Sequence, residues 1–262
     1  VPYGVADFAT VMTQDLYYVD KTMFLPELEK QPRNLFFIRP RRFGKSIFLS
    51  MLYSYYDCNQ KSIFDTLFGN LWIGSHPTPL QGKYQVLFLD FSQITGKIDV
   101  LEERFNAYMS INLDAFVRKY ADYYKEEKEE ILSKTEYADK IELLFKAAKA
   151  HGYALYLIID EYDNFTNVVL NEHGERVYHA ITHADGFYRD VFKKFKGNFE
   201  RIFMMGVSPV TLDDVTSGYN VGWNISVKPE FNEMLGFSTK DVVEMFTYYK
   251  QVGSIPADSD VM

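Results

Sequence analysis

The sequence predicts an α/β protein in which a parallel sheet is flanked by helices on both faces. Its composition allows a large packed core, because 47% of the 262 residues are hydrophobic and 17% are aromatic. Short apolar runs typical of buried strands alternate with helical segments, and parallel strands require such crossovers. The predicted strands lie near residues 35–39, 86–91, 154–160 and 202–207.

Charge and cysteine content limit the function classes. The net charge of −8 argues against general nucleic-acid affinity from bulk electrostatics. The single cysteine, Cys58, excludes an internal disulfide and is typical of a reducing compartment, so we expect a cytoplasmic protein. No apolar run is long enough to cross a bilayer, and we therefore expect no membrane partner.

The first predicted strand leads into Pro-Arg-Arg-Phe-Gly-Lys-Ser and then into helical spacing over residues 46–52. This order is typical of a phosphate-binding loop: Gly44 lets the backbone approach a phosphate, and Lys45 reaches the β- and γ-phosphates. Ser46 offers its hydroxyl to magnesium. The motif usually has glycine where this chain has Arg39, but the flanking strand and helix supply the required context. The residues expected to contact the nucleotide are Arg39, Pro40, Arg41, Arg42, Phe43, Gly44, Lys45 and Ser46.

The segment before this loop contains Tyr17, Tyr18 and Asp20. Two interpretations of it are open: contact with an adenine base, or aromatic packing under the core.

A second motif ends the third predicted strand. The apolar residues of the stretch 153–163 run into adjacent carboxylates, Asp160 and Glu161. A carboxylate at the end of a buried strand can steady the magnesium shell held by Ser46. A second carboxylate directly after it is suited to orient and deprotonate the attacking water. We therefore predict Asp160 and Ser46 as the metal-binding pair, with Glu161 next to them.

The remaining segments give coarser predictions. Residues 99–150 have a mostly helical pattern, and the charges of residues 120–130 predict a solvated face. Ser208 follows the fourth predicted strand and would lie beside the γ-phosphate if that strand neighbours the loop strand. Residues 223–227 are a plausible last strand. We expect one domain over residues 1–230. Residues 231–262 contain a glycine stop and an amphipathic helix, and we interpret them as the truncated start of a helical lid or adjoining domain.

Together these motifs resemble the AAA-ATPase-like family of P-loop proteins, which is related to archaeal-type and STAND ATPases. The loop variant Arg-Pro-Arg-Arg-Phe-Gly-Lys-Ser is the most specific element, so the absent first glycine is the family's own pattern. The segments that carry the resemblance are YYVDKT (17–22), FIRPRRFGKS (37–46), LFLDFS (87–92), LIIDEYDNF (157–165), MGVSPVTLDD (205–214) and NEMLGFS (232–238).

The resemblance implies roles for these residues. Lys45 and Ser46 would bind phosphate and magnesium, Asp160 and Glu161 would serve the metal and the water, and Ser208 would act as a γ-phosphate sensor. It further implies that another strand lies between the loop strand and the Asp160 strand. Members often carry a C-terminal domain similar to PD-(D/E)XK nucleases. The chain has no such motif, so contact with nucleic acid is expected only through a missing domain.

The expected function is a magnesium-dependent P-loop ATPase module that binds ATP and powers or gates an effector domain attached at its C-terminal end. The expected catalytic residues are Glu161, Lys45 and Ser208. Two alternatives stay open: a nucleotide-dependent interaction switch with little hydrolysis, and a small-molecule kinase. Glu161 favours hydrolysis, since a kinase has no need to activate water. Self-association is a further expectation, because oligomeric ATPases usually receive an arginine finger from a neighbour.

Overall fold

The computed structural model describes residues 4–183, 186–208, 222–256 and 259. Within them the chain forms a parallel sheet of five strands in the order β2-β3-β4-β1-β5. This confirms the predicted α/β class with a parallel sheet. The strands are β1 (Asn34–Ile38), β2 (Gln85–Asp90), β3 (Leu155–Asp160), β4 (Arg201–Gly206) and β5 (Trp223–Asn224).

The helices lie on both faces of the sheet, as predicted. They are α1 (Phe8–Thr13), α2 (Leu25–Lys30), α3 (Lys45–Tyr56), α4 (Phe64–Phe68), α5 (Leu101–Lys119), α6 (Lys128–Ser133), α7 (Tyr137–His151), α8 (Asn164–Thr182), α9 (Phe187–Phe195) and α10 (Thr239–Gln251). None of those in the described ranges combines the length and the apolar character needed to span a bilayer.

Side-chain alternation along the strands divides the core into two layers. On β1, Leu35 and Phe37 join the cluster that contains residues of α1 to α4, whereas Phe36 joins the cluster that contains residues of α5 to α9. The chain runs from β1 out to β2 and then returns through β3 and β4. Because right-handed crossovers in opposite directions place their helices on opposite faces, this reversal explains the two helical layers.

The strand order has one consequence for function. β4 lies between β1 and β3, with Phe36 opposite Met204 and Ile158 opposite Phe203. This confirms the expectation that another strand separates the loop strand from the Asp160 strand. All carboxyl ends of the strands meet at one edge of the sheet, where ligands bind in open α/β folds.

The expectation of a solvated face over residues 120–130 was wrong in part. Tyr120 and Tyr124 are buried, in a turn between α5 and α6. The Tyr120 hydroxyl accepts the backbone N–H of Val86 at 2.8 Å, and the Tyr124 hydroxyl donates to Gln85. These two tyrosines join the turn to strand β2, while charged residues between and after them remain exposed.

The predicted helix near the C-terminal end is present with a cap at Ser238, but no helix ends at Gly236, where a glycine stop was expected. Gly236 has φ +79°, and Ser238 begins α10 with a reciprocal capping box to Asp241. Phe231 and Met234 belong to the same apolar cluster as Phe37 of β1. The division at residue 230 stays a prediction.

Candidate functional site

The loop between β1 and α3 contains two residues with positive φ angles. Gly44 caps α3 with φ +84°, a left-handed conformation that glycine adopts without strain. Arg42 also has positive φ, at +69°. An alanine Cβ at Gly44 would approach only Ile47, at 3.8 Å, so conformation rather than space requires the glycine. The first-turn N–H groups of α3 therefore open at the carboxyl edge of the sheet, where a phosphate can bind.

Lys45 is buried beside two acceptors. Its residue surface is 5% exposed. Its Nζ lies 3.3 Å from the Pro40 carbonyl oxygen and 3.5 Å from Oε1 of Glu161. The structure therefore brings together the two residues that the sequence assigned to phosphate and to water.

Ser46 and Asp160, which the sequence predicts to bind a metal ion together, are in direct contact; their metal-binding role stays a prediction. The Ser46 hydroxyl donates to Oδ2 of Asp160 at 2.6 Å across the gap between α3 and β3. Burial raises the pKa of Asp160, and the charges of Glu161 and Asp90 add to this, whereas the Ser46 hydrogen bond opposes it. A buried carboxyl group beside a hydroxyl fits magnesium, which binds through few protein oxygens plus phosphate and water. No group of three or more His, Cys, Asp or Glu side chains in the described ranges could hold a metal ion alone.

Glu161 turns sharply out of β3. Its φ is +51°, uncommon for a residue with a side chain, and its backbone N–H donates to Oδ1 of Asp160 at 2.9 Å. The Glu161 side chain is 20% exposed, in contrast to the buried Lys45. The turn thus directs the Asp160 carboxylate to Ser46 and the Glu161 carboxylate toward the Lys45 ammonium group and solvent.

Ser208 follows β4, the strand next to β1. The backbone N–H of Arg39 donates to the Gly206 carbonyl at 3.2 Å, which joins the two strand ends. The Ser208 N–H donates to Oδ2 of Asp163 at 2.5 Å. The adjacency on which the prediction for Ser208 depended is therefore present; its role as a sensor stays a prediction. Residues of the MGVSPVTLDD segment beyond Ser208 lie outside the described residues.

The arginines of the loop differ in their surroundings. The Arg39 guanidinium donates to the carbonyls of Ile38 and Ser226 at 2.9 Å each and stacks on the Phe37 ring at 4.1 Å. It therefore ties the loop to the segment after β5. Arg41 and Arg42 are exposed.

A cavity of about 260 Å³ adjoins the loop. Three parts of the chain line it, and its surface is mostly apolar. The N-terminal part contributes Val5, Tyr17, Tyr18, Val19 and Lys21 to the lining. The loop and α3 contribute Arg42, Phe43, Gly44, Ile47 and Phe48. The C-terminal part contributes Met234, Leu235, Gly236, Phe237 and Met245. An apolar cavity beside the predicted phosphate-binding loop suits the base and sugar of a nucleotide.

The lead-in segment also packs within the protein. Tyr18 contacts the Phe8 ring edge-on at 5.2 Å, so it both lines the cavity and packs on the core. Asp20 instead accepts the backbone N–H of Thr22 at 2.8 Å and of Trp72 at 2.7 Å. Its contacts are those of a turn-forming residue.

Two contacts join the C-terminal segment to this cavity. Lys21 pairs with Asp241 at 2.7 Å, with side chains 11% and 15% exposed. The Gly236 N–H donates to the Phe43 carbonyl at 3.1 Å. Sequence reasoning missed Lys21 and Asp241, because nothing local indicates pairing across 220 positions. It also missed Asp163, although its place in the Asp-Glu-Tyr-Asp run was a usable signal.

Comparisons with known proteins identify the family to which the chain belongs. Residues 2–216 match the family described as "AAA-ATPase_like: Predicted AAA-ATPase". A curated relative, the "Uncharacterized protein in vnfD 5'region" of Azotobacter chroococcum mcd 1, is 27% identical over 251 residues. That alignment covers 94% of this chain and 44% of the relative, so the chain spans less than half the length of the relative. No solved structure matches the chain significantly. Because the family match covers most of its length, the chain belongs to the AAA-ATPase-like family, which implies an ATP-binding, ATPase-like role.

Proposed function

We propose that the chain is a magnesium-dependent ATPase module whose site lies at the carboxyl edge of the sheet. One observation carries the proposal: Lys45, Ser46, Asp160 and Glu161 converge there from two elements, joined by contacts of 2.6 and 3.5 Å. An ammonium group, a hydroxyl and two carboxylates at a helix N-terminus are the parts that phosphoryl transfer needs.

The loop binds the triphosphate. Backbone N–H groups at the start of α3 donate to phosphate oxygens, and Lys45 adds a charge-assisted contact. Lys45 already lies beside Glu161. A phosphate that takes the ammonium group therefore competes with this carboxylate.

Glu161 is the water-activating residue in this proposal. Its partly exposed carboxylate can reach a water molecule on the solvent side of the γ-phosphate and accept its proton. Ser46 and Asp160 would hold magnesium, which neutralises charge on the β- and γ-phosphates when bound. Ser208, at the end of the neighbouring strand, would donate to the γ-phosphate.

The apolar cavity would hold the adenosine part of ATP. Tyr17 and Tyr18 contribute aromatic surface to its lining, and residues 234–237 also line it. The Lys21–Asp241 ion pair holds α10 against this wall. Through that contact ATP binding can influence the C-terminal segment. We propose that the module powers or gates an effector domain through this segment.

A second candidate, a nucleotide-dependent switch with little hydrolysis, is favoured by the Lys45–Glu161 contact. The carboxylate of the proposed base lies 3.5 Å from the Lys45 ammonium group, so a water molecule must compete with that contact for the carboxylate. The two candidates differ in turnover and not in ATP binding.

Phosphate release separates the candidates. The purified protein is incubated with ATP and magnesium, with excess EDTA, and with a panel of small hydroxyl acceptors. With ATP and magnesium but no acceptor, we expect phosphate release. We expect no release when EDTA is in excess, and no phosphoryl transfer to any acceptor. Tight ATP binding without release would favour the switch, and phosphorylated acceptor would favour a kinase. An absence of ATP binding would contradict the proposal.

A further inference from the structure

The carboxylate of Asp163 is buried against the strand end that carries Ser208. Asp163 is 1% exposed, and Oδ2 accepts the backbone N–H of Val207 at 3.1 Å and that of Ser208 at 2.5 Å. The side-chain amide of Asn167 donates to the same oxygen at 3.0 Å. Two consecutive backbone N–H groups that donate to one buried carboxylate fix the turn, because leaving that carboxylate without these partners would be costly.

Tyr162 holds the other side of this turn. Its backbone N–H donates to the Met205 carbonyl at 3.2 Å, and its hydroxyl donates to the Ser208 carbonyl at 2.5 Å. The ring is fully buried. Ser208 is therefore held at its N–H by Asp163 and at its carbonyl by Tyr162.

Gly206 shows how closely the two strand ends approach. A Cβ at this position would lie 2.5 Å from the Tyr162 ring and 2.6 Å from Oδ1 of Asp163. Both distances are far inside van der Waals contact. Only glycine lets Tyr162 and Asp163 pack over β4 in this way.

We infer that Asp163 and Tyr162 are positioning residues that fix Ser208 relative to Glu161. They directly follow Glu161 in the chain, so the turn that carries the proposed base and the turn that carries the proposed sensor form one hydrogen-bonded unit. Misplacement by about 1 Å at an active site can cost on the order of 100-fold in rate. The inference rests on the proposed function, in which Ser208 contacts the γ-phosphate.

Tyr162→Phe tests it with the smallest change. The variant keeps the buried ring and removes the hydroxyl that donates to the Ser208 carbonyl. We expect kcat to fall about 3- to 10-fold while the Kd for ATP stays within about twofold, since positioning affects the transition state more than ground-state binding. Tyr84→Phe is the matched control: its hydroxyl donates to Glu200 at 3.0 Å, next to the amino end of β2 and far from the site. We expect that control to retain wild-type kcat.

A double-mutant cycle distinguishes positioning from general stabilisation. If Tyr162 acts through the Ser208 side chain, Tyr162→Phe should lower kcat in the wild type but have little further effect in Ser208→Ala. Asp163→Asn replaces one carboxylate oxygen by an NH₂ group that faces the backbone N–H donors of Val207 and Ser208. It should behave in the same way, with a larger loss of kcat. Both variants are compared at temperatures where circular dichroism shows them folded.

The outcomes separate this inference from the proposed function. Wild-type kcat in Tyr162→Phe, or an equal loss in both backgrounds, would overturn the positioning role. If turnover is lost in Glu161→Gln at the same time, the ATPase assignment stands without it. A wild type that neither binds nor hydrolyses ATP would overturn both.

Discussion

Replacing Glu161 by glutamine should separate ATP binding from turnover. The amide keeps the shape of the side chain but cannot accept a proton, so we expect hydrolysis to fall about 10²- to 10⁴-fold. The same change removes the anionic partner of Lys45, which lies 3.5 Å from Oε1. We therefore expect ATP to bind more tightly in the variant, since phosphate no longer competes with a carboxylate for the ammonium group.

The structure sets the size of the affinity gain. With an effective dielectric constant of about 20, two charges at this separation attract with roughly 5 kcal/mol before desolvation is counted. The 20% exposure of the Glu161 side chain and the hydration regained by the freed groups reduce the net contribution. A net value of about 1–2 kcal/mol corresponds to a gain of roughly tenfold in affinity.

Calorimetric titration with ATP and magnesium, together with single-turnover phosphate release, measures both effects. Glu172→Gln is the matched control, because this glutamate lies on α8 with its side chain 67% exposed. We expect the control to equal the wild type in both assays. Hydrolysis at the wild-type rate in Glu161→Gln would show that another group activates the water. Weaker ATP binding in that variant would show that Glu161 does not compete for Lys45.

Three further predictions concern the metal, the C-terminal contact and the rate. Because burial raises the pKa of Asp160, its contribution to stability is present below the unfolded pKa and is lost as pH rises through the folded pKa. Asp160→Asn should therefore unfold at a higher temperature than the wild type at pH 7, with a smaller difference near pH 4, and should lose the magnesium-dependent part of ATP binding. Lys21→Met leaves the Asp241 carboxylate, which is 15% exposed, without its cation, and should lower the free energy of unfolding by about 2–3 kcal/mol in urea denaturation. Lys240→Met, at a side chain that is 82% exposed, should change it little. Turnover should stay below about one per second and rise with protein concentration, since an arginine finger from a neighbour can contribute roughly 10³–10⁵ in rate. Steady-state rates of several per second that do not vary with concentration and are lost in Arg41→Ala or Arg42→Ala would place the finger within the loop.

Local signals in the sequence predicted most of the candidate site at the carboxyl edge of the sheet. Gly44, Lys45 and Ser46 lie at a strand-to-helix turn, and Asp160 and Glu161 end an apolar strand, so both motifs could be read from a few consecutive residues. The structure brings them together because β1 and β3 are parallel and only one strand apart. Such an arrangement follows from the crossover rules once the strands are known.

Contacts between distant segments could not be predicted in this way. Lys21 and Asp241 show no pattern that relates them, and their pairing depends on how the C-terminal segment returns to the lead-in. Tyr120 and Tyr124 lie among charges whose spacing suggested an exposed helix. In the structure both rings are buried, and their hydroxyls are hydrogen-bonded to Val86 and Gln85 of β2. These tertiary contacts outweigh the preference of the local sequence for an exposed helix.

The most direct test of the central claim is the effect of ATP and magnesium on the melting temperature of the wild type and of Lys45→Ala. A ligand that binds the native state raises this temperature, and the lost charge-assisted contact should cost on the order of 2–4 kcal/mol of binding free energy. Lys149→Ala serves as control, because this lysine is exposed in the last turn of α7. We expect a clear increase for the wild type and the control and little or none for Lys45→Ala. Equal increases in all three proteins would contradict the assignment of the β1–α3 turn as the phosphate-binding loop.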